Sequence, residues 1–477
     1  MRLFWVVFIF LTSSVLAATS EPINPKPIIP APITPELIVP KSMKATVEIV
    51  RVADALWRAE YCFDTPVEML KFGRPIKAMR ATHWSTPTKG LNLTHTDGTA
   101  QLQPTVGGTF SCGIINIIPF TDLPDEADYY VFTPFSDGSM TLFTGHLVPT
   151  AYIGGVWYDV DFTATYKARS GERVVAAEPD KLGYQFVYFG ALAVVETKEA
   201  ILIIDPIMPA SVREKILTGL TKTNALLPKV FGYRVPDKYQ IFMAASNLEK
   251  NNGTSIKGGA LSHQIRFTLV GRGTLRLAET QPLFYPKLAV HETLHLWQND
   301  VWLEQLSGPR QWVHEGGADA IAYEIMRLSG LYDAAAYTSK WQSVEQNCAK
   351  LLGSTSVHGG TEAGYYDVFY ECGAFANYLV GAALNQTDPG AGILIFWKAM
   401  AAWDKEIIMN TDNEGLFFLT MKKLGLRDVQ EQALRLFLSE QPDNPEKAIA
   451  SIKRVFGVMP SKSPVQAEAQ GAAQPAL

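Results

Sequence analysis

The sequence predicts an α+β multidomain chain, with an N-terminal β-sandwich-like domain followed by a mixed and largely helical domain. Three observations carry that prediction. Short runs of alternating apolar and polar residues fill the chain to about residue 200, separated by Asp97-Gly98, Gly107-Gly108 and Asp137-Gly138. Spacings of three and four take over near Ser211 and dominate from Phe284 onward. The 477 residues, 47% hydrophobic and 19% charged, supply enough apolar surface for large cores.

The elements follow in order. Residues 1–17 have the features of a signal peptide: Arg2, an unbroken apolar run from Phe4 to Leu11, and small or apolar residues at Val15 and Ala17. The apolar stretch falls short of the roughly 20 residues that span a bilayer, so no transmembrane span is expected beyond the signal segment. Residues 18–43 are a Pro-rich linker: positions 21 to 41 hold seven prolines, which rules out regular helix. Residues 44–205 form the β-rich domain, with strands expected at Ala45–Val52, Thr109–Ile118 and Val156–Tyr166. Residues 206–400 form the second, mixed and largely helical domain, with helices expected at Pro282–Trp297, Gln311–Leu328 and Tyr366–Leu384. A C-terminal helical region spans 401–458, with one or two helices in 428–456. A disordered tail rich in Ala, Gln, Pro and Ser spans 459–477.

Charge and cysteines narrow the class. Net charge is −5, from 42 basic and 47 acidic residues, and no basic block tracks a phosphate backbone, so nucleic acid is excluded as a partner. The four cysteines, Cys62, Cys112, Cys348 and Cys372, include no Cys-x-x-Cys pair, which argues against a cysteine zinc site. An even number in an exported chain favours disulfides over buried free thiols. Of the three possible connectivities, Cys62–Cys112 and Cys348–Cys372 keep each pair within one predicted region.

The sharpest motif is His291-Glu292-Thr293-Leu294-His295. On a helix, residues four apart share a face, so the two imidazoles reach one metal ion. Glu292 sits one position on, beside the metal, placed to take a proton from an activated water. A tetrahedral catalytic zinc needs a third protein ligand. Glu315, in Trp312-Val-His-Glu-Gly-Gly-Ala-Asp, supplies it after nineteen intervening residues. Asp319, four beyond Glu315, lies on the same helical face and can accept the second ring N–H of a ligand histidine. Gly316 and Gly317 allow a neighbouring helix or the substrate to come close.

This pattern, with a distant glutamate in a Trp-x-x-Glu-Gly-x-Ala context, resembles the gluzincin zinc metallopeptidases. The nineteen-residue gap and the Glu-x-x-x-Asp pair are similar to the thermolysin family, and the site also resembles the aminopeptidase N family. An exported β-domain ahead of a helical catalytic domain looks more like the glycyl aminopeptidase family. Gly258-Gly259-Ala-Leu-Ser262-His263 resembles that family's Gly-Gly-x-Glu-His segment, whose edge strand pairs with the substrate backbone. This chain has Leu261 or Ser262 where that glutamate stands. Phe369-Tyr370-Glu371-Cys372-Gly373 resembles the Tyr-x-Lys-Gly segment of related aminopeptidases. The resemblance implies that Tyr370, with Tyr366 as runner-up, donates to the developing oxyanion.

The expectation is therefore an exported, periplasmic or secreted, hydrolase of peptide bonds. One zinc per chain is held by His291, His295 and Glu315, with Glu292 as general base and a peptide or protein as substrate. An aminopeptidase is one form of it. Two other readings stay open: an exported zinc-containing binding or scaffold protein without catalysis, and a zinc hydrolase of a non-peptide amide or ester.

Overall fold

Alternation along Ala45–Val52 matures into the strand Ser42–Ala53, which buries Ala45, Val47 and Ile49 while Thr46 stays exposed. The computed structural model describes residues 42–73, 79–96, 98–121, 129–178, 183–234, 238–249, 254–302 and 311–458. The expected signal peptide, nearly all of the linker, and the tail lie outside the described residues. Ser42–Ala53 pairs in antiparallel fashion with Leu56–Val67 and in parallel with Val156–Lys167, at the centre of a nine-stranded sheet. Cys62 lies directly opposite Cys112 of Phe110–Ile117 and is bonded to it.

A four-stranded sheet comprises Phe132–Pro134, Met140–Phe143, Arg173–Val175 and Phe186–Gly190. Its faces divide by the period of two. Val187 and Phe189 pack into one core with Val47, Trp57 and Tyr61 of the large sheet, where Trp57 and Phe189 meet edge to face at 4.6 Å. Phe186 and Tyr188 point the other way, onto Ile203, Phe242 and Leu261 of a third sheet.

That third sheet has six strands. Val195–Glu196, Ala200–Ile204, Tyr239–Ser246, Gln264–Val270 and Ser255–Lys257 lie in this order, with Ala260–Leu261 also paired to Gln264–Val270. Ala200–Ile204 pairs in parallel with Tyr239–Ser246, so one sheet crosses the boundary expected at residue 205. A parallel pair needs a crossover, and the helix α1 (Ala210–Phe231) provides it. Backbone pairing thus joins residues on the two sides of that boundary.

The helical layer is built on α2 (Phe284–Trp302), α3 (Gln311–Leu328), α4 (Ala334–Leu352), α5 (Asp367–Leu384), α6 (Pro389–Ala401) and α7 (Asn413–Lys423). Pro286 falls in the first turn of α2, where its missing N–H costs no helical bond. Residues Ala289 to Gln298 of α2 are buried all round, as in a helix enclosed by neighbours. Helix α3 ends before Gly330, which takes a left-handed φ of 74°. Asp333 caps α4 by accepting from the Ala336 amide at 2.7 Å. The segment 401–458 forms four helices, two of them within 428–456 as expected, and Leu416, Phe417, Leu434 and Ile449 share the core of α3 and α5. Among the described residues no helix is long and apolar enough to cross a membrane.

Candidate metal centre

Two close helix crossings set the site. A Cβ on Gly219 of α1 would overlap the Pro286 carbonyl, so α1 lies tight against the start of α2. A Cβ on Gly316 of α3 would overlap the backbone of Gly373 in α5, and one on Gly317 would overlap the Trp397 ring of α6. Helices with ordinary side chains at their contact keep about 8–10 Å between axes. The glycine pair lets α5 come closer, and Tyr370, one turn before Gly373, then reaches over the site. The Cys348–Cys372 bond ties α5 to α4 beside it.

The three expected ligands converge. Nε2 of His291 and of His295 lie 2.9 Å apart, and Oε2 of Glu315 lies 3.2 Å from the first and 3.3 Å from the second. His291, His295 and Glu315 are also the metal-binding type of cluster found among the described residues. The outer edges of both rings are taken. Nδ1 of His291 donates to Asp319 at 2.6 Å. Nδ1 of His295 donates to Oε1 of Gln298 at 2.7 Å, because Gln298 turns its Nε2 to the His314 carbonyl at 3.1 Å. With both Nδ1 atoms protonated, neutral imidazoles present two bare Nε2 lone pairs to a carboxylate oxygen. Three acceptors this close demand a cation between them. The centre of such a triangle lies about 1.8 Å from each corner, close to the roughly 2.0–2.2 Å of zinc to nitrogen or oxygen. The residues fit zinc.

Without a metal, a proton serves as that cation. Burial works against charge on His291, but Asp319 by charge and hydrogen bond, with Glu315, outweighs it and carries the ring to about 9. Burial would raise Glu315, yet His295 and His291 hold it well below the usual carboxylate range. Asp319 is likewise held low against burial by Lys287 and His291.

Around this triangle the polar groups are arranged by their own neighbours. Glu292 is buried and its carboxyl is raised, by burial first, with the two histidines opposing. The Gly258 backbone lies against it: a Cβ there would overlap the Glu292 carboxylate. Gly259 lies likewise against Tyr129, whose hydroxyl donates to the Ala260 carbonyl at 3.3 Å. Tyr370 stands with its ring 5.8 Å from His291 and its hydroxyl bonded to Glu315. Burial and the nearby carboxylates of Glu315, Glu292 and Asp319 push that hydroxyl well above its ordinary value, so it stays protonated.

Other expected residues fall elsewhere. Ser262 and His263 form the turn between Ala260–Leu261 and Gln264–Val270, where His263 is exposed with a left-handed φ of 60°. Of that segment, Gly258 is the residue shown against a site group, Glu292. Tyr366 sits at the N-cap of α5, against Phe369. His358 is tied down: its Nε2 meets Glu414 of α7 at 2.9 Å, and Glu414 also accepts from Trp312 Nε1 at 3.0 Å.

Three neighbours escaped the sequence reading. Lys287, four before His291, is ion-paired to the same oxygen of Asp319. Gln298, three after His295, holds that ring. Tyr323, four after Asp319, donates to its second oxygen at 2.8 Å. Each lies at the helical spacing that puts it on the face of the residue it serves, which is the signal that could have found it. His314 stacks on His295 with ring centres 4.0 Å apart. Burial first, then the charge of His295, lowers it to about 3, so it is neutral.

No family model matches the chain, and no curated protein does. Solved structures do. An aminopeptidase N family protein from Idiomarina loihiensis is similar with a TM-score of 0.57 at 14% identity, over 85% of this chain and 78% of that one. A zinc metallopeptidase of the M1 family from Deinococcus radiodurans is similar with a TM-score of 0.45 at 13% identity, over 85% and 95%. A substituted form of the latter, bound to a Tyr-Ser-Ala substrate, gives 0.46 at 12% identity, over the same shares. At such identity the first of these likenesses shows a common fold: the chain is built like an aminopeptidase N family protein.

Proposed function

We propose that this chain is a zinc-dependent metallopeptidase that hydrolyses peptide bonds. The observation that carries the reading is the triangle of His291, His295 and Glu315, with Glu292 buried on the same helix between the two histidines. A resident zinc ion would supply Lewis acidity and lower the pKa of water. The remaining chemistry belongs to the chain. Glu292, whose carboxyl burial raises, is the base placed to accept a proton and return it to the leaving nitrogen. Tyr370 keeps its proton and is a neutral donor beside the reacting carbonyl, where negative charge develops. The Gly258–Gly259 segment, beside the edge strand Ser255–Lys257 of the third sheet, has no side chains, which lets an extended peptide approach Glu292.

The finer reading, an aminopeptidase of the glycyl aminopeptidase kind, draws support from the sequence resemblance and from the name of the Idiomarina loihiensis protein of like fold. Export belongs to the proposal too, supported by the two disulfides, which oxidising compartments sustain.

The test is metal content together with peptide-library cleavage for the chain from residue 42, in wild type and in Glu292→Gln. About one zinc in both, with cleavage lost by roughly 10²–10⁴-fold in the variant, is expected. Full activity in Glu292→Gln overturns the mechanism. Zinc in both and cleavage in neither favours a non-catalytic binding protein or a non-peptide substrate. The positions cut decide between aminopeptidase and endopeptidase.

A further inference from the structure

His295 is held at one point of its edge by Gln298, through Nδ1. A single hydrogen bond leaves the ring free to pivot about that contact. The ligand lone pair on Nε2 lies in the ring plane, so a pivot carries it off the metal position. Something must fix the plane. The ring of His314 lies over the face of His295, centres 4.0 Å apart and planes within 21°. The backbone of the same residue supplies the second hold, because the His314 carbonyl takes the Gln298 Nε2 at 3.1 Å and so points Oε1 at His295. Nδ1 of His314 is itself buried without a hydrogen-bond partner. A buried ring nitrogen left unpaired is exceptional. It means that no hydrogen bond at Nδ1 orients this side chain: it is placed by its face.

We infer that His314 is a positioning residue, whose ring face locks the plane of the ligand His295 and whose carbonyl locks the Gln298 amide that holds the same ring by its edge. The inference rests on the reading of His291, His295 and Glu315 as metal ligands. It assigns His314 no contact with substrate. It also implies that the flat ring, not its nitrogens, does the positioning, so that another flat aromatic side chain can replace it.

The experiment uses the chain from residue 42 as wild type, His314→Ala and His314→Phe, stripped of metal. Zinc affinity is measured by competition with a chelator, the visible spectrum of the cobalt(II)-loaded protein reports ligand geometry, and thermal melts confirm folding. His314→Ala is expected to weaken zinc binding by roughly 10–100-fold and to alter the cobalt spectrum, the effect of losing a group that orients a ligand. His314→Phe is expected to restore the spectrum and bring affinity back to within about threefold of wild type. A folded His314→Ala protein with wild-type zinc affinity and cobalt spectrum would overturn the inference. So would His314→Phe as weak as His314→Ala, because the role would then belong to the ring nitrogens. Wild-type chain that takes up no zinc would overturn the metal reading itself, a distinct result from wild-type uptake unchanged by His314→Ala.

Discussion

His291 and His295 are the same residue, one turn apart on one helix, and their surroundings differ in kind. His291 is held by charge: Asp319 accepts from its Nδ1, and that carboxylate is shared with Lys287 and Tyr323. His295 is held by neutral groups, the Gln298 amide at its edge and the His314 ring on its face. An anionic partner makes an imidazole a stronger base as well as an oriented one, whereas a neutral partner only orients it. In the proposed zinc site the two rings would divide the work: one would strengthen the grip on the metal, and the other would keep its geometry. Tyr370 stands on the charged side, over His291, and His314 on the neutral side.

The largest effect expected along this division separates chemistry from metal binding. Tyr370→Phe keeps the ring beside His291 and removes the hydroxyl. Turnover of a cleaved peptide should fall by roughly 10²–10³-fold, as for loss of one oxyanion donor, with zinc affinity changed little. Steady-state kinetics and chelator competition on the same preparation check it. A fall in zinc affinity as large as the fall in turnover would show that Tyr370 serves the metal site instead.

Next come the partners of the two rings. Asp319→Ala should weaken zinc binding by about 10–100-fold, because it removes both charge and orientation from His291. Gln298→Met, which removes orientation alone, should stay near the lower end of that range. Equal losses in the two variants would abolish the contrast between a charged and a neutral support.

Acidity sharpens the same point. In the metal-free protein His291 is raised to about 9, so near neutral pH it carries a proton that zinc must displace. Zinc affinity should therefore rise with pH, by about tenfold per unit for this one proton, and level off as pH passes 9. The same shift stabilises the metal-free fold below the ordinary histidine range, fully present there and lost as pH rises through 9. Asp319→Asn removes the charge that lifts His291, so its zinc affinity should level off at lower pH. Titrations at several pH values measure both curves.

How much of this the sequence disclosed depends on whether a relation lies within one helix or between two. His291, Glu292 and His295 were legible because spacing on a helix dictates a shared face, and the same rule linked Glu315 to Asp319. Lys287, Gln298 and Tyr323 obey that rule as well and were passed over, since lysine, glutamine and tyrosine are not ligands by type. The crossing of Gly316 on Gly373 joins helices 57 positions apart, and no periodicity specifies which helix meets which. Helix α6 went unread for another reason: Gly390, Ile393, Phe396 and Trp397 are buried within a segment almost wholly apolar, so it has no stripe to betray its period. His263 in a left-handed turn is a third case, because glycine is the usual marker of that conformation and the enrichment of histidine there is too weak to specify it.

The smallest effect probes the charged side from behind. Lys287 and His291 both donate to Oδ1 of Asp319, so they compete for the density of one carboxylate oxygen. Lys287 is also a positive charge close to where a divalent cation would bind. Its removal in Lys287→Met should leave Asp319 more available to His291 and relieve that repulsion. Zinc affinity should then rise, by roughly two- to fivefold, against the fall expected for Asp319→Ala. The lysine side chain is only 24% exposed and Asp319 is buried, so loss of the ion pair should also lower stability. Chelator competition reads the affinity and thermal melts read the stability. The sign decides the role: a rise shows that Lys287 restrains the grip of His291, whereas a fall of the size seen for Asp319→Ala would show that the lysine holds the carboxylate in place for the histidine.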